Sequence, residues 1–316
     1  MAFFERRICR ADRHWRACFS WRSFIAAFIL TQCLSAAGQW PAQAEDSGSK
    51  SKKIFTGEGI LNSINSLALK ENWKKLPIGE LMGKIAQQLV DTPYVASTLD
   101  RDVDHEYCTA DLTGLDCVTF FESTLDLARM LKKGGYSPED FMRQLTYSRY
   151  RGGVVGDYTS RLHYTSDWFA DNEKKNVVKI LTFPKSQPFP QKVHFMSSNP
   201  QKYAQLNAHP QLIPKMKKQE EAINKRPITY VPRNDLAATE SLLKTGDIVG
   251  ICTDIDGIDI SHTGLVLRDE QGVAHFVDAS SRSGVMKVVI EPGPISATIT
   301  RSQKTTGAMF ARPLEP

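Results

Sequence analysis

Apolar residues recur with a helical period through the first half of the chain and gather into short runs in its last third. Ile78, Leu81, Met82, Ile85 and Leu89 lie three and four positions apart, which predicts one buried helix face between Ile78 and Val90. Asp91-Thr92-Pro93 ends that helix, because Pro93 disfavours helical geometry at the residue before it, and Tyr94-Val95 opens an extended segment. Phe121, Leu125, Ala128 and Leu131 mark a second stripe, on a helix predicted from Cys117 to about Lys133 and stopped by Gly134-Gly135. Ser137-Pro138-Glu139-Asp140 supplies a capping hydroxyl, a first-turn proline and two acids, and so opens another helix. From Arg151 to about Pro232 the pattern loosens, interrupted by Pro184, Pro188, Pro190, Pro200, Pro210 and Pro214, with one short helix expected around Lys217 to Lys225. Ile228–Val231, Asp247–Cys252, His262–Leu267, Ala274–Val277, Val285–Ile290 and Ala308–Arg312 read as strands divided by turn residues. Helices first and strands later predict an α+β fold with an antiparallel sheet, and no internal repeat is visible.

The first 44 residues obey a different pattern. Arg6, Arg7, Arg10, Arg13, Arg16 and Arg22 precede an uncharged, mostly apolar stretch from Ser23 to Ala37. Ala42-Gln43-Ala44 then supplies small residues for cleavage before Glu45, so residues 1–44 are expected to be a signal peptide. The apolar stretch is shorter than the roughly 20 residues a membrane span needs. Leu30-Thr31-Gln32-Cys33 is a poor lipoprotein box because Gln32 stands before the cysteine, and no other segment is apolar enough to span a bilayer. Residues 45–56 are polar and rich in Ser and Lys, which predicts a disordered mature start, followed by a single domain over 57–316 with a mixed insertion at about 146–235. The whole chain holds 40 Lys and Arg against 35 Asp and Glu; setting aside the six arginines and two acids of the leader leaves 34 against 33. That near-neutral balance removes any charge-based case for a nucleic-acid partner.

Cys9, Cys18 and Cys33 leave with the leader, so the mature chain keeps Cys108, Cys117 and Cys252. An odd number in an oxidising compartment leaves at least one thiol or one intermolecular bridge. Cys108 and Cys252 are either a disulfide or two buried thiols. No CxxC or spaced Cys/His set suggests a zinc site. Asp254, Asp256 and Asp259 lack the spacing and terminal Glu of a calcium loop, so neither metal nor cofactor is expected.

Cys117 stands apart from the other two. In Gly114-Leu115-Asp116-Cys117-Val118-Thr119-Phe120-Phe121-Glu122 it occupies the first turn of a helix, where unpaired N–H groups and the positive end of the dipole favour a thiolate and can hold an oxyanion. Far downstream, Ser261-His262-Thr263-Gly264-Leu265-Val266-Leu267 puts a histidine at the head of a strand. A helix-start cysteine served by a histidine on a distant strand is the papain-type arrangement and points to a cysteine hydrolase. Asp116 is either the helix cap or a substrate contact, and Thr119 packs or caps. His194 and His209 are expected to lie outside the chemistry.

With these residues placed, a family resemblance emerges. Thr92-Pro93-Tyr94-Val95, Asp116-Cys117, Gly246-Asp247-Ile248-Val249 and Ser261-His262-Thr263-Gly264 resemble the signposts of NlpC-type, papain-like cell-wall hydrolases. Arg149-Tyr150-Arg151-Gly152-Gly153, Tyr158 to Tyr164, Asp167-Trp168, Phe195-Met196-Ser197 and Tyr230-Val231-Pro232 resemble the branch described as N-acetylmuramoyl-L-alanine amidase-like. The similarity covers roughly residue 78 to the C-terminus and implies a papain-like α+β fold, with the nucleophile helix packed on the antiparallel sheet. It also implies hydrolysis of an amide in peptidoglycan or muropeptides. On that resemblance Cys117 is the nucleophile and His262 the general base. The third catalytic residue falls at Asp278 in Phe276-Val277-Asp278-Ala279-Ser280-Ser281, where the family more often has histidine or asparagine. His275 is the rival, three residues away and on the opposite side of the strand. Tyr94 is expected beside the oxyanion, and Arg161, His163, Tyr164 and Trp168 along a substrate cleft, with Arg161 offering a bidentate partner for a stem carboxylate.

The expected protein is therefore an exported, periplasmic cysteine amidase cutting between N-acetylmuramic acid and L-alanine. Its rivals are a D-glutamyl-diamino acid endopeptidase of the stem, a non-catalytic peptidoglycan-binding module, and a thiol acyltransferase.

Overall fold

A computed structural model describes residues 53–316; the expected leader and residues 45–52 of the polar start lie outside the described residues. The elements run in the order β1 (Lys53–Thr56), α1 (Glu58–Lys70), α2 (Ile78–Gln88), β2 (Cys108–Asp111), α3 (Cys117–Lys132), α4 (Pro138–Arg149), α5 (Thr165–Lys174), β3 (Val178–Ile180) and β4 (Gln187–Pro188). There follow α6 (Phe195–Ser198), α7 (Ala204–Ala208), α8 (Ile213–Ile223), β5 (Thr229–Pro232), α9 (Leu236–Thr239), β6 (Ile248–Thr253), β7 (Ile260–Arg268), β8 (Ala274–Ser280), β9 (Lys287–Ile290), α10 (Ile295–Ile299) and β10 (Thr305–Pro313). The class is α+β, as the order of helical and extended patterns predicts.

Seven strands form an antiparallel path, β4-β5-β10-β6-β7-β8-β9, and β3 pairs with the far end of β10. Both faces of the central strands are covered, which explains why they read as continuous apolar runs. Ile248, Leu265, Val277 and Met309 join the helices in one core, while their neighbours Val249, Val266, Phe276 and Phe310 pack with Leu236, Ile295 and Ile299 in a second. A third, smaller cluster around Tyr164, Met196, Leu206 and Met216 lies within the irregular middle segment. That segment is tied to the rest of the fold, because Trp168, Phe169 and Val178 belong to the main core and β5 pairs with β10.

The helix signals match local chemistry. Asp116 caps α3 in a reciprocal capping box with Thr119, and Ser137 does the same for α4 with Asp140. At the end of α3, Gly134 takes φ 78°, and the Gly135 N–H returns to Met130 O at 2.9 Å. The polar start departs from expectation at its edge: Lys53–Thr56 is a strand, paired in parallel with Cys108–Asp111. Phe55, partly buried, packs against the main core and stacks edge-on with Phe141, so this short strand has an apolar anchor. No disulfide joins Cys108 to Cys252; both thiols are buried. No helix among the described residues is long and apolar enough to cross a membrane.

Candidate active site

The capping box fixes where Cys117 sits. Asp116 Oδ1 accepts from the N–H groups of Val118 (3.1 Å) and Thr119 (2.8 Å), while the Asp116 N–H donates to Thr119 Oγ1 at 2.8 Å. Both residues are thereby committed to the helix start. The Cys117 N–H, one position into the helix, has no acceptor among the described residues, and the thiol is partly exposed.

Strand alternation distributes the residues that meet it. Thr263 on β7 faces α3 and donates its hydroxyl to the Cys117 carbonyl at 2.8 Å, tying strand to helix at the candidate cysteine. His262, next in line, occupies the other face with Phe276 and Asp278 of β8. Its Nε2 donates to Asp278 Oδ2 at 2.6 Å, and the Cys117 thiol lies near enough to raise the ring. With Nε2 engaged by the carboxylate, Nδ1 is the nitrogen left for the thiol. Position 264 must be small, because a Cβ there would come within 2.6 Å of the Phe276 ring that packs beneath His262.

Burial alone would push the His262 imidazole down; hydrogen bonds and charge from Asp278 and Cys117 outweigh it and raise the ring to about 10. Asp278 is itself buried, at 3 % exposure. The rival His275 turns the other way, with Nε2 on Asp269 Oδ2 at 2.9 Å and Nδ1 on the Glu291 carbonyl at 3.1 Å. Tyr94 lies beside the thiol: burial first, then the negative charges of Cys117 and Asp116, raise its phenol, with the nearby Ser281 opposing the shift.

The residues expected along a cleft divide into two groups. Asp116, Arg161 and His163 line a cavity of about 250 Å³, together with Asp100, Tyr158 and Tyr203. Asp116 and Val118 line it and flank Cys117, so this cavity adjoins the start of α3. Arg161 is not a free partner for a ligand carboxylate. It is buried, hydrogen-bonded to Asp100 Oδ1 at 2.6 Å and ion-paired with Glu106 Oε1 at 3.5 Å, and lies over the Tyr158 ring. His163 is fixed as well, with Nε2 on the Tyr158 carbonyl at 2.8 Å; burial, then the Arg161 charge, lower it to about 3 and keep it neutral.

Tyr164 and Trp168 do not line the cavity. Tyr164 donates to Glu220 Oε1 at 2.7 Å and accepts from the Met196 N–H at 3.0 Å, organising the middle segment. Trp168 is 1 % exposed, stacks edge-on with Phe121, and donates to Glu122 Oε1 at 3.0 Å. Their place is the core, and the aromatic residues facing the cavity are Tyr158 and Tyr203.

Sequence reasoning missed the residues behind this wall. Glu122 and Arg149 form a buried ion pair at 2.7 Å, each about 1 % exposed, and Glu122 also receives the Trp168 indole. One carboxylate thus joins α3, α4 and α5. A glutamate on the apolar stripe of a predicted helix was the available signal. On the other side of His262 lies a second cavity of about 270 Å³, lined by Asp278, Ser281, Arg282, Arg301 and Lys304, none of the last three being singled out by the sequence. Of the aspartates in the β6–β7 loop, Asp259 is buried and accepts from the Ser166 N–H, and among the described residues no group of three or more metal-ligating side chains assembles.

The geometry can be set beside known proteins. Residues 84–297 match the family model described as AmiA-like, N-acetylmuramoyl-L-alanine amidase-like. The chain belongs to that family. A crystal structure of an N-acetylmuramoyl-L-alanine amidase from Bacteroides uniformis is 30 % identical, with TM-score 0.68, covering 75 % of this chain and 99 % of its own. A protein from Bacteroides fragilis described as a candidate xylanase is 31 % identical, with TM-score 0.65, over 73 % of this chain and 99 % of its own. A Legionella pneumophila protein at 20 % identity and TM-score 0.61 shares the fold, over 81 % of this chain and 95 % of its own. No curated protein matches by sequence. Membership makes this chain a hydrolase of amide bonds with peptidoglycan as its substrate class, and Cys117, His262 and Asp278 all fall within the matched residues.

Proposed function

We propose that this protein is an exported cysteine amidase of the papain-like, NlpC-type group, cutting the amide between N-acetylmuramic acid and L-alanine in peptidoglycan or its fragments. The observation that carries the reading is the chain of contacts from Asp278 through His262 to Cys117 at the start of α3. The choice of amide follows the family description and the name of the Bacteroides uniformis structure.

The raised imidazole favours an imidazolium beside a thiolate. The Cys117 sulfur attacks the muramoyl carbonyl, and the oxyanion forms against the unclaimed Cys117 N–H, with the Tyr94 hydroxyl as a second donor. His262 gives its proton to the departing L-alanine nitrogen as the C–N bond breaks, leaving a thioester. It then takes a proton from water, which attacks the thioester and releases the muramoyl acid and the free thiol. Asp278 holds the ring and favours its charged form throughout.

A glycosidase reading, suggested by the name of the Bacteroides fragilis protein, needs two carboxyl groups flanking the scissile bond. Here the carboxylate at the centre of the site is bonded to a histidine. The stem endopeptidase remains the competing amide hydrolase. Digestion of purified sacculi and defined muropeptides, read by mass spectrometry, separates them: free muramyl sugar plus intact stem is expected, whereas a cut stem would assign the endopeptidase. Product formation that persists in Cys117→Ala would overturn the mechanism. Export rests on the arginine-rich leader and its Ala42-Gln43-Ala44 site. N-terminal sequencing of protein recovered from the periplasm should begin at Glu45, and an intact Met1 there would contradict it.

A further inference from the structure

We infer that the cavity on the His262–Asp278 side of the site is a subsite for the first carboxylate of the stem peptide, the α-carboxylate of D-glutamate; this rests on the amidase reading above. The direction of the substrate follows from the chemistry. His262 protonates the leaving nitrogen, so the departing peptide lies on the histidine's side and the muramoyl group on the side of Asp116 and Tyr158. His262 and Asp278 form a wall of the 270 Å³ cavity, which places it where the residue after L-alanine must go.

The charge of the lining fits that residue. Arg282, Arg301 and Lys304 face one carboxylate, Glu291, besides the Asp278 already bonded to His262. Glu291 is 3 % exposed and takes a guanidinium on each oxygen, Arg282 on Oε1 and Arg301 on Oε2, the latter at 2.6 Å. This fixes two guanidinium groups in place and leaves one of their charges uncompensated. The Lys304 ammonium has no ion-pair partner among the described residues and adds a second. The opposite cavity has the reverse balance: Asp100 and Asp116 face a single arginine, Arg161, beyond the Glu122–Arg149 pair. A neutral sugar suits that side, and an anionic peptide does not.

Ser281 lines the cavity and lies beside Tyr94, so the subsite adjoins the proposed oxyanion position.

The test uses two muramyl tripeptides that differ only in the D-glutamate α-group, carboxylate in one and carboxamide in the other. The wild type should prefer the carboxylate about tenfold or more in kcat/KM. Arg301→Gln with Lys304→Gln should bring the ratio near one through a drop on the carboxylate peptide. Lys304→Gln alone, at an exposed and unpartnered position, should lower the ratio without disturbing the fold. In parallel, calorimetry with Cys117→Ala measures binding of the two released tripeptides, which requires no turnover. Equal handling of both peptides by the wild type, or a ratio unchanged in the double variant, would overturn the subsite. Release of no muramyl sugar, with the calorimetric preference intact, would instead overturn the choice of amide and leave the subsite standing.

Discussion

At the scale of single residues, the site depends on the company a histidine keeps. His262 would be lowered by burial in the absence of its neighbours, and Asp278 supplies the largest opposing contribution, with Cys117 next. A histidine raised from 6.5 to about 10 contributes stability that is complete below 6.5 and is lost as pH rises through about 10. The imidazolium is thus retained across neutral pH. Asp278→Ala removes both the hydrogen bond and the charge, so the alkaline limb of the kcat/KM profile should move down by about one to two pH units. The rate near neutrality should fall roughly a hundredfold or more. His275→Ala, whose ring is held by Asp269 and Glu291, should leave the limb where it is. Finding the loss of activity and the shifted limb only in the His275 variant would reverse the assignment. Cys117, His262 and Asp278 were legible as a set because each has an unambiguous local setting: a helix cap, a strand start and a polar residue before a small pair. Tyr164 and Trp168, expected along a cleft, are buried and line neither cavity, because a sequence motif does not record which way a side chain points.

The elements show what these buried residues do for the fold. Helices α3, α4 and α5 converge on Glu122, which meets Arg149 and Trp168 in an otherwise apolar core. Removing one partner of a buried ion pair leaves the other charge uncompensated. Glu122→Gln should therefore lower unfolding free energy by about 3–5 kcal/mol, seen as a reduced urea midpoint at unchanged m. Trp168→Phe keeps most of the ring packing and loses only the indole donor, so a destabilisation of about 1–2 kcal/mol is expected with KM unaltered. A raised KM at unchanged stability would return Trp168 to the substrate cleft. The same packing logic separates the elements that were legible from those that were not. Helices α2, α3 and α4 and the strands from β5 to β10 carry strong periodic or apolar runs with turn residues between them. Strand β1 is four residues long and begins with lysine, and β4 is two residues ending in proline, so partners distant in sequence define them rather than their own pattern.

Over the whole molecule, buried groups respond to pH in opposite directions. Asp126 on α3 is raised to about 7, by burial first, with the Ser148 hydroxyl at 2.5 Å and the Arg129 charge opposing the shift. A carboxyl raised in the folded state contributes stability that is complete below 3.8 and is lost as pH rises through about 7. His163 is lowered to about 3, so its contribution is present above 6.5 and is lost as pH falls through about 3. Between about pH 4 and 6.5 the two slopes oppose each other, each reaching at most about 1.4 kcal/mol per pH unit. Single replacements should expose them. Relative to wild type, Asp126→Asn should gain stability as pH rises from 4.5 to 6.5, and His163→Gln should lose it over the same interval. Urea denaturation of the three proteins at those two values provides the measurement. Variants that differ from wild type by a constant amount at both pH values would show that neither group is shifted within the fold. A gain in Asp126→Asn with no loss in His163→Gln would mean that the cavity beside Cys117 is open enough to water for His163 to titrate normally.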